Sequence, residues 1–260
     1  MNEESRSSEE QRHQKIKFKK GIYVLPNLLT TASLFMGFYS IVASIQEKFF
    51  WAAVAIFVSL VFDGLDGRVA RITNSTSKFG AEYDSLSDLV AFGVAPSLLA
   101  YVWAMSFYGK LGWMAGFLFV ACGALRLARY NIQIGIIESN VFNGLPIPAA
   151  ASVIAATVIF FHDLGVEGTY HHPGIVIMVT ALSLLMVSNV KYYSGKDMKL
   201  FSRMPFRAFL VLIGVILIVV YKPEVSIFVF FVTYTLSGPL WWVVKTVKKL
   251  KTNNAGPNPA

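Results

Sequence analysis

Long apolar runs, most of them close to twenty residues, leave this chain few ways to fold. A bilayer offers no water to backbone N–H and C=O groups, so runs of this length cross as helices that satisfy their own hydrogen bonds. The runs fall at about 24–46, 49–72, 83–107, 111–131, 148–163, 173–191, 207–221 and 224–244, the fifth and seventh being short for a full crossing. The expected fold class is all-α, a polytopic membrane helix bundle of about eight transmembrane helices. Composition agrees: 55% of the 260 residues are hydrophobic and 15% charged, against about 25% charged in soluble domains.

The net charge of +8 does not point to nucleic acid, because its distribution follows the membrane. Lys48, Lys110 and Lys222 fall in loops on one side, and the other 20 of the 23 Lys and Arg fall on the opposite side. Basic loops stay in the cytoplasm, so both termini are expected there, in an inner (cytoplasmic) membrane. Residues 1–20 read as a polar, basic tail, disordered or lying on the surface. Their lysines either attract anionic membrane lipids or simply anchor the topology. The first apolar run is too long for a cleavable signal. Cys122 is the sole cysteine and reads as a packed small residue. Residues 251–260 read as a disordered end, Pro96 as a kink in the third span, and the Phe-rich run at 226–231 as lipid-facing. His162, His171 and His172 read as solvated loop residues.

Against this background stand four aspartates. Asp63, Asp66, Asp84 and Asp88 are four of only six in the chain and lie within 26 residues. Each costs roughly 2.5–3.5 kcal/mol at the centre of a membrane helix. Asp63 lies 14 residues beyond Phe49, about 21 Å along a helix. Asp66, Gly67 and Ala70 follow on the same face at steps of three, four and seven. Across a polar turn, Gly80, Asp84, Asp88, Ala91 and Ala95 repeat the pattern. Small residues at such spacing also serve helix packing, but the acids go beyond packing. If the two faces meet, four carboxylates converge beside open volume, and either some take up protons or cations bind. An all-oxygen set favours Mg²⁺ or Mn²⁺, two ions matching the formal charge of −4. Metal pairs suit phosphoryl chemistry.

These residues, written Asp63-x2-Asp66-Gly67-x2-Ala70-Arg71-x8-Gly80-x3-Asp84-x3-Asp88, reproduce the signature of the CDP-alcohol phosphotransferases, which the chain resembles without departure. The resemblance implies a six-helix core, often a homodimer, that transfers a phosphatidyl group from a CDP-linked lipid to an alcohol. It implies that the four aspartates hold two divalent metals and that Asp88 is also the general base. It implies that Gly67, Ala70, Arg71 and Gly80 line the cytidine and diphosphate pocket. Tyr23–Thr30, Phe92–Pro96, Arg126–Asn131 and Phe142–Pro148 further resemble the branch that uses CDP-diacylglycerol and L-serine. The likeness makes 21–195 the core and 196–250 a loop with two additional helices of unassigned role.

Arg126 and Arg129, three residues apart, are expected to share a face. Either they grip an acceptor carboxylate or donor phosphate bidentately, with Asn131 nearby, or they are topology charges that snorkel to water. Asn27 and Thr30 either hydrogen-bond the donor or start the first span. Other acceptors of the same chemistry are glycerol 3-phosphate, an inositol phosphate and choline. A different class, a divalent-cation transporter, explains the acids but not the Gly, Ala and Arg between them.

Overall fold

The computed structural model describes residues 3–73, 75, 77–133, 141–193 and 221–254. Helix α1 runs Glu3–Ile45 and α2 runs Phe49–Ile72. The third apolar stretch, Lys78–Tyr108, is composite: α3 (Lys78–Asp88), a π turn (Leu89–Val94), α4 (Ala95–Ala100), a second π turn (Tyr101–Met105) and a short 3₁₀ turn (Ser106–Tyr108). Then come α5 (Lys110–Gln133), strand β1 (Val141–Asn143), α6 (Ile147–Asp163), α7 (Pro173–Val187), strand β2 (Lys191–Tyr193) and α8 (Pro223–Asn254).

Among the described residues, five helices are long and apolar enough to cross a membrane: Val24–Ile45, Phe49–Ile72, Lys78–Tyr108, Lys110–Ile132 and Pro223–Lys245. Helices α6 and α7 are apolar but shorter. The protein is an all-α, multi-pass membrane bundle. The seventh expected span, 207–221, apart from its last residue, and nearly all of the loop before it lie outside the described residues, as does the end of the C-terminal tail.

Four expectations are corrected. Of the two readings of the N-terminal tail, disorder is set aside: residues 3–20 continue α1 as helix, because they are rich in the helix formers Glu, Gln, Arg and Lys and hold neither Gly nor Pro. Residues 251–254 likewise extend α8. Pro96 does not act alone: it opens α4 directly behind a π turn. Proline has no N–H to return to the preceding turn, and the widened turn absorbs the break. The Phe-rich run is not wholly lipid-facing. The Phe228 ring stacks on Phe160 at 4.6 Å, and Phe231 lies 5.8 Å from Phe57, whereas Phe230 remains exposed.

The bundle also holds a feature the apolar pattern does not announce. β1 and β2 pair antiparallel, Val141 with Tyr193, Phe142 with Tyr192 and Asn143 with Lys191. Gly144 turns the chain from β1 toward α6 at φ +81°, against the Met186 carbonyl, where a side chain has no room.

What positions the site is α1. It packs along α2 and against α3 and the first π turn. The Ser33 and Ser59 hydroxyls, both buried, meet at 2.7 Å between α1 and α2. At Gly37 the backbones nearly touch: a Cβ there would lie 2.6 Å from the Ala91 Cα. Small residues let membrane helices approach this closely. Ala91 and Ala95 therefore fill the core instead of bordering the open volume expected beside the acids.

Candidate active site

Ser77 starts α3 as its N-cap, its hydroxyl accepting the Gly80 N–H at 2.9 Å. This fixes the direction in which α3 leaves the turn and brings Asp84 to Asp63 and Asp66. Carboxylate oxygens of those three residues lie within 4.8 Å of one another. Three of the four sequence-predicted aspartates, Asp63, Asp66 and Asp84, are thus brought together. Asp88 lies one turn further along α3, with Asp63 and Asp84 as its nearest charged neighbours.

Helix α1 supplies the third wall. Thr30, buried, donates its hydroxyl to Asp66 Oδ2 at 2.7 Å. The Ser87 hydroxyl donates to the Thr30 carbonyl at 3.1 Å, and Thr31 and Tyr83 join hydroxyls at 2.9 Å. Beside the acids opens a pocket of about 180 Å³ lined by Pro26, Asn27, Thr30, Asp66, Gly67, Ala70, Ser75, Ser77, Gly80, Ala81 and Asp84. A Cβ on Gly67 would meet nothing within 4 Å, so the missing side chain there leaves free volume.

The remaining predicted residues divide. Arg71 is exposed and folds back, its Nε donating to the Gly67 carbonyl at 2.8 Å. Arg126 and Arg129 do not share surroundings. Arg126 is buried at 8% exposure, with Asp88, Tyr130 and Tyr234 as its electrostatic neighbours. Arg129 is half-buried and donates to Asn189 at 2.8 Å. Residues three apart differ by about 60° around a helix, enough to turn one inward and leave the other at the rim. Asn131 donates to Ser85 at 3.0 Å, tying α5 to α3. The sequence reading missed the hydroxyls of Ser75 and Ser77. A serine directly before an apolar helix was the available signal for the second. His162 packs against Phe50, His171 against Phe107, and His172 caps α7 through Nδ1.

The site's chemistry fits a hard divalent cation. Its donors are carboxylate oxygens only. Asp84 Oδ1 is buried with no hydrogen-bond partner among the described residues, and an anionic oxygen left so exists at a cost unless a cation takes it.

Residues 23–187 match the CDP-alcohol phosphatidyltransferase family. The chain belongs to that family. Among its relatives is a CDP-diacylglycerol--serine O-phosphatidyltransferase of Helicobacter pylori, 39% identical over 236 residues, covering 90% of this chain and 97% of the relative. An archaetidylserine synthase of Methanothermobacter thermautotrophicus is 37% identical over 170 residues, 65% of this chain and 69% of the relative. A CDP-diacylglycerol--serine O-phosphatidyltransferase of Methanocaldococcus jannaschii is 41% identical over 137 residues, 53% of this chain and 61% of the relative. Membership makes the chain an enzyme and sets the cation-transporter reading aside. The aspartates, Gly67, Ala70, Arg71 and Gly80 all lie inside the matched region.

Proposed function

We propose that this enzyme transfers the phosphatidyl group of CDP-diacylglycerol to the hydroxyl of L-serine, giving phosphatidylserine and CMP. The observation that carries the chemistry is the aspartate cluster opening on a hydroxyl-lined pocket. The choice of serine is supported by the likeness, along 97% of its length, to a relative named for that acceptor.

Asp63, Asp66, Asp84 and Asp88 would hold two Mg²⁺ or Mn²⁺ ions. When bound, such ions neutralise the diphosphate and stabilise charge on the leaving oxygen. The chain's own residues do the rest. Gly67, Ala70 and Gly80 leave room for the nucleotide, and Asn27 and Thr30 bring polar atoms to its edge. Thr30 also holds Asp66 in one orientation. Asp88 takes the serine proton as the serine oxygen bonds to the lipid-bearing phosphorus. The bond from that phosphorus to the CMP oxygen breaks, and CMP leaves. A carboxylate is a weak base for an alcohol, so positioning and electrostatics supply most of the rate. Arg126 receives the acceptor's carboxylate, with Arg129 and Asn131 nearer the rim. Arg71, through Gly67, braces the diphosphate side.

The enzyme is proposed to span the inner membrane eight times as a homodimer, with both termini and the site cytoplasmic. The placement of 20 of the 23 basic residues supports that orientation, and those residues also suit anionic lipid.

The test is an acceptor screen. Purified protein with CDP-diacylglycerol and Mg²⁺ or Mn²⁺ is expected to release CMP with L-serine and form phosphatidylserine. CMP release with glycerol 3-phosphate, an inositol phosphate or choline, and none with serine, would replace the acceptor while leaving the family chemistry in place.

A further inference from the structure

Helix α8 begins well beyond residue 187, where the family match ends, yet it reaches the catalytic end of the bundle. Tyr192 is the link. It is buried at 1% exposure, and its hydroxyl donates to the Thr235 carbonyl at 3.0 Å. Its ring fills the space above Gly238, where a Cβ would collide with it. Burial, with Tyr234 beside it, pushes the Tyr192 phenol up to about 12, so it remains a donor at any working pH. The Tyr192 and Tyr234 rings lie 5.7 Å apart, and Tyr234 in turn is an electrostatic neighbour of Arg126.

Two polar groups in this region lack partners. Arg126 Nε and Thr235 Oγ1 are buried with no hydrogen-bond partner among the described residues. Nor does any described carboxylate lie within ion-pair distance of Arg126. A guanidinium withdrawn from water without an anion is costly, and its planar fork matches a carboxylate or phosphate. Asp88, the proposed base, is among its electrostatic neighbours. A simple packing role for α8 explains Gly238 and the Tyr192 ring, but not a buried Arg126 Nε left open, among the described residues, in the neighbourhood of Asp88.

We propose that α8 carries part of the acceptor subsite: Tyr234, seated by Tyr192, is a positioning residue that aims the Arg126 guanidinium at the carboxylate of the amino-acid acceptor. The proposal rests on serine as the acceptor. The alternative source of the anion is the donor's phosphate, and the experiment separates the two.

CMP release by the purified full-length enzyme is measured with CDP-diacylglycerol and Mg²⁺, varying L-serine, the donor, and serinol, which keeps serine's hydroxyl and amine but lacks its carboxylate. Tyr234→Phe is expected to raise KM for serine about tenfold, as for loss of a hydrogen bond to a charged group. It is expected to leave KM for CDP-diacylglycerol in place and to narrow the preference for serine over serinol. An unchanged KM for serine, a rise in both KM values together, or an unaltered serinol ratio overturns the proposal. If Tyr234→Phe does not fold, Tyr192→Phe keeps its ring over Gly238 while losing the bond to α8. The same split at smaller size supports the proposal, and its absence overturns it. A parental enzyme indifferent to serine removes the acceptor assignment itself. A parental enzyme that uses serine, with variants identical to it, removes only the role of α8.

Discussion

Replacing Asp84 with Asn should make the metal-free enzyme more heat-stable while abolishing its activity. Asp84 presents an oxygen within 4.8 Å of one from Asp63 and one from Asp66. At that largest separation and an effective dielectric of 20, two unit charges repel by about 3.5 kcal/mol, so removing both pairs relieves about 7 kcal/mol before screening. The pocket beside them is open, and water and counter-ions screen the repulsion. If a third survives, about 2 kcal/mol remains, which raises the unfolding midpoint by about 4–8 °C for a chain of this size. In the parent, a bound divalent ion removes the same repulsion and adds ligation, so Mg²⁺ or Mn²⁺ should raise the parental midpoint and barely move that of Asp84→Asn. Intrinsic fluorescence of the five Trp, followed on heating in detergent with EDTA and then with metal, reads both effects. A lower midpoint for Asp84→Asn in EDTA, or an equal metal-induced rise in both proteins, would refute the reasoning.

Other substitutions separate the parts of the site. Asp88→Asn should stay folded, with a metal-free midpoint at or above the parental one since it too sits among like charges, and lose at least about 10²–10⁴-fold in turnover, as expected when a general base is removed; parental turnover would end its assignment as base. Gly67→Leu adds a side chain where a Cβ meets nothing, so the midpoint should hold or rise slightly, since Gly costs a helix about 1 kcal/mol, while KM for CDP-diacylglycerol increases at least tenfold in the CMP assay. Gly37→Val places carbon against the Ala91 backbone and should cost about 1–3 kcal/mol by overpacking, read as a lowered midpoint, although residue 37 touches no part of the pocket.

The apolar spacing made the spans legible because hydropathy over twenty residues is a local property. Residues 49–72, expected as the second span, are α2 to the residue. The acids were legible for a related reason: Asp63 and Asp66, one helical turn apart, are anomalous against the apolar run that holds them. The wall built by α1 was not legible. The Thr30–Asp66 hydrogen bond joins residues 36 apart, and nothing in the α1 sequence marks which later helix it meets. Ala91 was read as bordering open volume beside the acids, and instead it packs against Gly37. An alanine states that something comes near without stating what. The divergence of Arg126 from Arg129 arises the same way. Helical periodicity puts them on one side of α5, while full burial of Arg126 and only partial burial of Arg129 depends on where Tyr234 and Asp88 lie. The contact of Tyr192 with Gly238 crosses more than 40 residues, beyond the reach of any pattern in the chain.

The central claim is that the four carboxylates form one metal-binding centre. Anomalous diffraction from crystals grown with Mn²⁺ and CDP-diacylglycerol tests it most directly. Two manganese peaks within bonding distance of Asp63, Asp66, Asp84 and Asp88, contiguous with the lipid's diphosphate, are the expected result. Manganese bound elsewhere, or diphosphate density seated away from these carboxylates, would contradict the account.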